Sequence, residues 1–542
     1  GDDTYARINV AKIKRIEILN GASSALYGTN AIGGVINIIT DDAKNAINVS
    51  SDTRYASKGR FTQSVNIDVN TGKFGSYTSY RRQQAEGWQL NPYEENSKTH
   101  ELEETGKVAS TGFYANTVNQ KFTFDATDKL SFYARGGYYD NKTRRPYEAY
   151  DYNILHETFN YGIGAQYMIN KGNYITADCY ADHFSSSYCF FKDNKTYNGK
   201  AGEEQVRKRT RNHNLSIKGI FKLGNRHKLS VGTEYIVDVL KSQTDNIAKE
   251  DAYTLALFAQ DEIKLLRNLQ ALIGVRYIYH ENFKNHATPN VALMYKPGKF
   301  NFRASYAAGF RTPTLSELYA TDIAKKNDRL TIGNLDLKPE KNNYFSLSAE
   351  YVHERFSVSV NAFYNNIRDM IDYNTIATGD KAMEQYGHKE VRQRDNIAEA
   401  KVHGINVSAN AYLGAGFNLS GGYTHLNTQD VELEQPIDKS IKNAYNINAQ
   451  WAHSWKIYRL NINLNGRINS KRFSKSYGYA PEYQLWDLNT RHSFNLKSVI
   501  IEPGFGMENL FDYMDDRPYN SNYATLTPGR SFYISLSLKF KS

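Results

Sequence analysis

The side chains of this chain that could do chemistry are mostly aromatic rings and imidazoles, not paired acids and bases. The 542 residues include 42 tyrosines, 26 phenylalanines and 13 histidines. The sequence has no His-Glu-x-x-His, no Gly-x-Ser-x-Gly and no phosphate-binding loop, which are signatures of metallopeptidases, serine hydrolases and nucleotide-binding enzymes. We therefore predict a binding protein that is not an enzyme and carries no cofactor.

Seven aromatic residues and two histidines are the candidate ligand-binding residues. They lie in long polar stretches between apolar runs, where side chains can reach a bound molecule. Aromatic rings can cover the faces of a broad, partly apolar plate while hydroxyl groups reach its polar edge. For each histidine, the plainer interpretation is an exposed loop residue. The candidates are Tyr147, Tyr150, Tyr152, Tyr279, Phe283, His286, Tyr373, Tyr386 and His388.

The two cysteines, Cys179 and Cys189, are ten residues apart. This spacing allows either a disulfide that staples the tip of a hairpin in an oxidising compartment, or two free thiols. Two cysteines alone make no metal site, and we predict no bound metal.

Alternating polar and apolar residues run from Asn45 almost to the C-terminus, as in residues 47–55 and 61–69. Strands of about ten residues with one apolar face are typical of a transmembrane β-barrel, in which every second side chain meets lipid. No apolar run of about 18 residues is present, which excludes a transmembrane helix. The mean hydropathy of −0.63 and the many tyrosines fit a barrel with aromatic girdles.

Short turns alternate with long polar insertions along the chain. Outer-membrane barrels have short periplasmic turns and long extracellular loops, and ten insertions are close to the eleven loops of a 22-stranded barrel. We therefore predict an all-β, 22-stranded antiparallel transmembrane barrel. Its predicted loops are 84–106, 140–156, 185–211, 241–251, 279–287, 310–340, 373–396, 427–438, 473–483 and 512–529.

The net charge of +10 is spread over turns and loops. A nucleic-acid-binding face would cluster its Lys and Arg residues, so we predict no nucleic-acid partner. Basic loops instead fit the anionic sugar-lipid surface of an outer membrane, and we expect outer-membrane lipid to be a partner.

The most specific motif spans residues 15–40. Two β-branched segments flank a short helical stretch that ends at Gly28, and Gly33 and Gly34 turn the chain into the second segment. This string resembles the last part of the plug domain of TonB-dependent outer-membrane receptors. The resemblance implies that residues 1–42 are the C-terminal part of a plug and that residues 43–542 form the barrel. Arg15 and Glu17 are candidates for contacts between plug and barrel wall, or belong to a solvated strand face.

The resemblance extends over essentially the whole chain. Residues 309–319 and 333–340 resemble two boxes that bracket one loop in this family, and residues 508–512 and 527–532 resemble its closing signature. Pro313 and Pro339 would stop strand pairing at the barrel rim, and the glutamates of the boxes could pair with nearby cations. Haem receptors of the family usually carry a haem-ligating histidine between the boxes, whereas residues 314–332 contain none.

The implied function is TonB-dependent uptake of a scarce nutrient through the outer membrane of a Gram-negative bacterium. Residues 136–143 and 364–373 look most like the vitamin B12 transporters of the family, which implies cobalamin as substrate, with haem or a ferric siderophore as the alternative. The calcium-binding acidic cluster of the vitamin B12 transporters is poorly matched, because only Asp193, Glu203 and Glu204 are available.

The resemblance also implies partners. TonB would act in the periplasm on a plug segment that we expect to precede Gly1, together with a signal peptide. A surface lipoprotein could dock on the tyrosine-rich loops. The rival functional classes are a passive channel, against which the plug string argues, and a surface adhesin or docking protein.

Overall fold

The chain folds into a closed antiparallel β-barrel, seen in a computed structural model that describes residues 13–20, 34–40, 46–96, 99–324, 328–522, 525 and 527–541. Within these residues, 22 strands form the barrel, as the alternation and loop count predicted. Each barrel strand pairs with the next one along the chain, and the last pairs with the first to close the sheet. No helix in these ranges is both long and apolar enough to cross a membrane.

The 22 barrel strands are β3 (Ile47–Ala56), β4 (Arg60–Asn70), β5 (Phe74–Ala85), β8 (Gly112–Asp125), β9 (Leu130–Arg144), β10 (Tyr152–Asn170), β11 (Asn173–Phe190), β12 (Glu204–Leu223), β13 (His227–Ser242), β14 (Ile247–Leu266), β15 (Leu269–His280), β16 (Lys284–Tyr295), β17 (Phe300–Arg311), β20 (Glu340–Val352), β21 (Phe356–Thr378), β22 (Glu390–Gly414), β23 (Phe417–Asp430), β24 (Asn443–Trp455), β25 (Tyr458–Asn469), β28 (Tyr483–Asn495), β29 (Val499–Glu508) and β30 (Ser531–Lys541). Short elements outside the barrel wall are β1 (Ile13–Asn20), β2 (Gly34–Thr40), β6 (Tyr93–Glu95), β7 (Leu102–Glu104), β18 (Thr321–Ala324), β19 (Arg329–Ile332), β26 (Arg472–Ser474), β27 (Gly478–Ala480) and two helices, α1 (Leu315–Tyr319) and α2 (Gly379–Tyr386).

The two faces of the barrel wall differ in polarity. On β4, Ser64, Asn66 and Asp68 are buried in the lumen, whereas Ile67 between them is 40% exposed on the outside. On β30, Phe532 and Ile534 are likewise exposed and apolar. This polar-in, apolar-out arrangement is what lipid around the barrel requires.

The barrel has a short-turn end and a long-loop end. Connections at the short-turn end have two to four residues, such as 171–172 and 296–299. At the long-loop end, each of the ten predicted loops overlaps a connection between strands. The eleventh connection, 57–59 between β3 and β4, is a three-residue turn, which is why no polar insertion marked it.

Several predicted loops are shorter than expected because the strands continue beyond the apolar band. The loop predicted over 373–396 is only 379–389, since β21 and β22 form a hairpin of 23 and 25 residues. Likewise, the loop predicted over 185–211 shrinks to 191–203. Strands that project above the lipid need no apolar face, so polarity alone could not separate them from loops.

The loop between β17 and β20 is itself folded. Thr314 caps α1 through a capping box with Glu317. β18 and β19 form an antiparallel hairpin, and β19 pairs in parallel with β22. Beneath the loop, Leu318, Leu337 and Ile371 form a buried apolar cluster. This long connection is therefore an ordered piece of the rim.

The two strand segments predicted within residues 15–40 are β1 and β2, which form a separate antiparallel hairpin sheet. Arg15 Nε lies 2.6 Å from Glu17 Oε1, and Asn37 Nδ2 donates to Glu17 Oε2 at 3.0 Å. These contacts are within the sheet, so contact of Arg15 and Glu17 with the barrel wall stays a prediction. The expected helical stretch at 22–27 and the expected domain boundary at residue 42 lie outside the described residues.

The possible disulfide between Cys179 and Cys189 is ruled out. Both residues lie on one continuous strand, β11, and both are free thiols. Ten residues of extended strand separate two positions by about 33 Å, whereas a disulfide requires Cα atoms within about 7 Å.

Candidate ligand-binding site

A cluster of aromatic rings, here called the aromatic cage, consists of Tyr152, Tyr188, Phe190 and Tyr197. The rings of Tyr152 and Tyr188 are stacked with centroids 4.1 Å apart. Tyr197 meets both rings edge-on, at 5.8 and 5.1 Å. Phe190 lies opposite Tyr152 in the pairing of β10 with β11, and their ring centroids are 5.6 Å apart. The cage thus combines residues of two strands and the loop that follows them.

The cage faces the barrel lumen. On β10, the odd-numbered residues Phe159, Tyr161 and Ile163 are 53%, 44% and 64% exposed on the outside of the wall. Because side chains alternate along a strand, Tyr152 points to the opposite, lumenal side. Tyr188 lies across from Ile154 in an unbroken register and shares that side. The cage is therefore placed where a ligand entering from the long-loop end would pass.

Two arginines cover the cage. The guanidinium carbon of Arg145 lies 4.8 Å from the ring centroid of Tyr150 and 5.0 Å from that of Tyr152. Arg207 lies 5.3 Å from the ring of Tyr188 and 4.9 Å from that of Tyr197. A cation over an aromatic ring gains about 0.5–2 kcal/mol. In the described part of the chain neither arginine forms an ion pair, so their charge is not compensated by a carboxylate.

The two loops that flank the cage are tied to each other. The backbone N–H groups of Phe191 and Lys192 donate to Asp151 O at 2.9 and 3.1 Å, and Asn194 Nδ2 donates to Asp151 Oδ2 at 2.7 Å. Lys192 Nζ also lies 3.9 Å from the ring centroid of Tyr147. These contacts therefore join the loop of Arg145 (145–151) to the loop of Tyr197 (191–203) beside the cage.

Tyr197 keeps its proton in this setting. Burial raises the pKa of the Tyr197 phenol, and the neighbouring Tyr152 raises the pKa further. A phenol with a raised pKa stays neutral near pH 7 and can donate a hydrogen bond to an anionic ligand.

Of the first three candidates, Tyr152 belongs to the cage, Tyr150 shares Arg145 with it, and Tyr147 lies beside it in the loop 145–151. Tyr147 is 59% exposed and stacks on Phe191 with centroids 5.5 Å apart. Sequence reasoning missed the partners of these tyrosines, Tyr188, Tyr197, Arg145 and Arg207. A signal was present, because Arg145 adjoins the predicted tyrosines and the other three lie in the predicted loop 185–211.

Phe283 and His286 lie elsewhere on the rim and have packing partners. His286 stacks on Phe310 with ring centroids 4.8 Å apart, and its Nε2 lies 3.0 Å from Phe283 O. Phe283 packs against the apolar cluster around Leu318. Both residues therefore support the loop between β17 and β20.

Tyr373, Tyr386 and His388 belong to the tall β21–β22 hairpin and its α2 helix. The guanidinium of Arg394 lies 3.6 Å from the ring centroid of Tyr373 and donates to its hydroxyl at 2.6 Å. Tyr386 ends α2 and is 41% exposed. His388 Nδ1 lies 2.9 Å from Asp328 Oδ1, and this hydrogen bond lowers the pKa of Asp328. The structure does not bring these residues to the aromatic cage.

Tyr279 faces away from the lumen. Its neighbours Ile278 and His280 are buried at 0% and 7% exposure, whereas Tyr277 is 45% exposed on the outside, on the same side as Tyr279. Tyr279 continues an outward row of rings, with centroid distances of 6.0 Å to Tyr253 and 5.9 Å from Tyr253 to Tyr235. Such a row is typical of the aromatic girdle of an outer-membrane barrel.

The two family-like boxes meet in one ion cluster, the Arg311 clamp. Arg311 Nε and Nη2 donate to Glu340 at 2.8 and 2.6 Å, and Nη1 and Nη2 donate to Glu317 at 2.9 and 3.2 Å. Glu340 Oε1 also accepts from the backbone N–H of Ile371 at 2.9 Å. The boxes therefore pin the loop between β17 and β20 to the rim, as expected from pairing of their glutamates with cations.

Comparison with known families identifies the architecture. Residues 63–510 match the model of the TonB dependent receptor-like β-barrel, and residues 1–35 match that of the TonB-dependent receptor plug domain. This chain belongs to the TonB-dependent receptor family. Receptors of this family are outer-membrane proteins that act with TonB in transport, not enzymes.

Solved structures of TonB-dependent receptors share this fold. The ferric enterobactin receptor PfeA of Pseudomonas aeruginosa superimposes with a TM-score of 0.83 at 17% identity, over 98% of this chain and 86% of that one. The siderophore receptor PirA of Acinetobacter baumannii gives 0.79 at 16% identity, over 98% and 86%. The FrpB iron transporter of Neisseria meningitidis gives 0.75 at 13% identity, over 98% and 88%.

A metal site in the receptor itself has no support in the described ranges, where no group of three or more His, Cys, Asp or Glu side chains is arranged to hold a metal ion. The aromatic cage of this receptor instead offers rings, phenols and guanidinium groups. Groups of these kinds can contact the organic shell of a ligand by stacking, hydrogen bonding and charge.

Proposed function

We propose that this receptor imports an anionic, aromatic iron chelate of the ferric siderophore class in a TonB-dependent manner. The observation that carries the proposal is the pair of arginines, Arg145 and Arg207, which lie over the rings of the aromatic cage and form no ion pair within the described residues. A chelate built from deprotonated aryl oxygens has flat faces for the rings and negative charge for the guanidinium groups. The related folds of a ferric enterobactin receptor and a siderophore receptor support the same ligand class.

Cobalamin, the substrate suggested by the sequence, fits the cage less well. Its metal arrives already ligated, so it requires shape, stacking and neutral hydrogen bonds and gains little from two uncompensated cations. Haem would require an axial ligand such as His or Tyr, and the two candidate histidines, His286 and His388, are engaged with Phe283 O and Asp328. Ferric siderophore uptake is therefore the function that the geometry favours.

The test is equilibrium titration of the purified receptor with ferric enterobactin as an aryl-oxygen chelate, with haemin and with cyanocobalamin. We expect saturable binding of the chelate. We expect Arg145→Gln with Arg207→Gln to weaken it by about 100- to 10,000-fold, because each of the two lost charge-assisted contacts contributes about 1.5–3 kcal/mol. Arg394→Gln is the matched control, since its guanidinium also stacks on a tyrosine, Tyr373, but outside the cage. His286→Ala with His388→Ala should leave chelate binding unchanged.

Two outcomes would contradict the proposal. Saturable cobalamin binding without chelate binding would restore cobalamin. Tight haemin binding that the double histidine variant abolishes would establish a haem receptor.

For the transport step, chelate uptake into cells should stop in a TonB-deleted host while surface binding persists. Uptake that continues in that host would indicate a passive channel.

A further inference from the structure

The outward face of β12 changes from apolar to cationic toward the long-loop end. Leu215 and Ile217 are 50% and 46% exposed on the outside of the barrel, as lipid-facing residues are. The next three outward positions are His213, Arg211 and Arg209, all of them exposed. The outward side chains of this one strand thus run from the acyl-chain region into a cationic zone.

Neighbouring strands extend this cationic zone. Arg209 lies between Ser185 on β11 and Lys241 on β13, and Arg211 lies opposite His183. The ring of His183 is 5.3 Å from that of His213. Across the described ranges neither Arg209 nor Arg211 forms an ion pair, although Glu157 and Asp140 follow Ser185 in the same outward row.

An aromatic girdle sets the height of the zone. Tyr138, Phe159, His183 and Arg211 are cross-strand neighbours in one outward row. Tyr138 and Phe159 are 40% and 53% exposed. Tyrosine and other aromatic residues at the surface of a membrane barrel mark the level of the lipid headgroups. Arg211 therefore lies in the same outward row as these aromatic residues, and Arg209 lies one outward position nearer the long-loop end.

A shallow outward groove of about 260 Å³ runs through this zone and is lined by residues including Tyr138, Glu157, His183, Arg209 and Arg211. The hydroxyl of Tyr138 donates to Glu157 Oε1 at 2.9 Å. Guanidinium groups bind phosphate oxygens in a bidentate manner, and a carboxylate accepts hydrogen bonds from sugar hydroxyls. The groove, here called the basic groove, combines both kinds of group above an apolar wall.

We propose that the basic groove binds a phosphate-bearing glycolipid of the outer leaflet. Its acyl chains would lie along Leu215 and Ile217, its phosphate groups would meet Arg209 and Arg211, and its sugars would meet Glu157. The proposal depends on the outer-membrane location of the family and is independent of which nutrient the receptor imports.

The test is native mass spectrometry of the full receptor, delipidated in detergent and titrated with lipopolysaccharide, with enzymatically dephosphorylated lipopolysaccharide and with phosphatidylglycerol. We expect retention of one lipopolysaccharide, about tenfold weaker binding in Arg209→Gln with Arg211→Gln, and a smaller loss in Arg209→Lys with Arg211→Lys, which keeps the charge but not the bidentate geometry. Lys401→Gln removes an outward cation of β22 outside the basic groove, next to Asn366 and Gln429, and should change nothing. Heat-modifiable migration on gels verifies that each variant is a folded barrel.

Three outcomes would overturn the proposal. Unchanged lipopolysaccharide binding by the double glutamine variant would show that the arginines are not contacts. Equal binding of the dephosphorylated form would exclude phosphate recognition. Equal retention of phosphatidylglycerol would show general attraction to anionic lipid without a glycolipid site.

Discussion

The Arg311 clamp allows a quantitative prediction about the rim. Replacing Arg311 by Met removes the cation between Glu317 and Glu340 and keeps most of the aliphatic stem. The side chains of Arg311, Glu317 and Glu340 are 23%, 14% and 11% exposed, so two carboxylates would be left largely buried and facing each other. Breaking a buried ion pair by removing one partner costs about 3–5 kcal/mol.

The cost should appear in the loop between β17 and β20, since the barrel wall is held by its own strand pairing. At 1.4 kcal/mol for each factor of ten, hydrogen exchange of amides in α1 and β18–β19 should speed up by about 100- to 5,000-fold. Exchange would be followed by mass spectrometry of loop peptides, with peptides of β10 and β11 as internal references. Lys338→Met is the matched control, because Lys338 is an exposed cation of the same box.

The dependence on pH gives a second check on the clamp. Burial raises the pKa of Glu317. The hydrogen bonds and positive charge of Arg311, together with the hydrogen bond from the Thr314 N–H, lower this pKa by more, so that it lies below its ordinary value of 4.5. A lowered carboxyl pKa stabilises the loop above pH 4.5, and this contribution is lost as the pH falls through the folded pKa. In Arg311→Met the sign reverses, because protonation relieves repulsion between the two carboxylates.

If the loop of Arg311→Met exchanged no faster than that of Lys338→Met, once exchange rates are corrected for their intrinsic pH dependence, the clamp would not stabilise the loop. If adding Glu317→Gln and Glu340→Gln to Arg311→Met did not recover part of the lost protection, repulsion between the carboxylates would not be its cause, since that triple variant removes the repulsion.

Two further predictions concern the barrel wall and its thiols. Leu536 is 41% exposed on the outside, so Leu536→Arg should lower the free energy of unfolding by about 2–4 kcal/mol near the midplane. Ser537 faces the lumen between Glu502 and Asp52, so Ser537→Arg should lower it less. Equal losses of stability in folding assays in lipid vesicles would reject this register. Because Cys179 and Cys189 are too far apart to form a disulfide, the denatured receptor should take up two maleimide groups without prior reduction. Maleimide modification of these cysteines only after reduction would contradict the β11 register.

The amino-acid sequence alone determined the architecture. Alternation with a period of two places every second side chain on the lipid side, so a barrel could be predicted without knowing which strands pair. Long polar insertions located ten connections at the long-loop end, and the string at residues 15–40 indicated the family. These signals are local, which is why they survive in a single sequence.

Only the tertiary structure decided the site. Tyr152 and Tyr188 are 36 positions apart and stack because the register of β10 and β11 sets them side by side. Tyr279 points outward because strand parity, not loop composition, fixes its direction. The same parity directs Arg209 and Arg211 to the membrane, although nothing in their local sequence separates them from the lumenal cations. Which residues meet depends on pairing between strands distant along the chain, and that pairing is set by closure of the whole barrel.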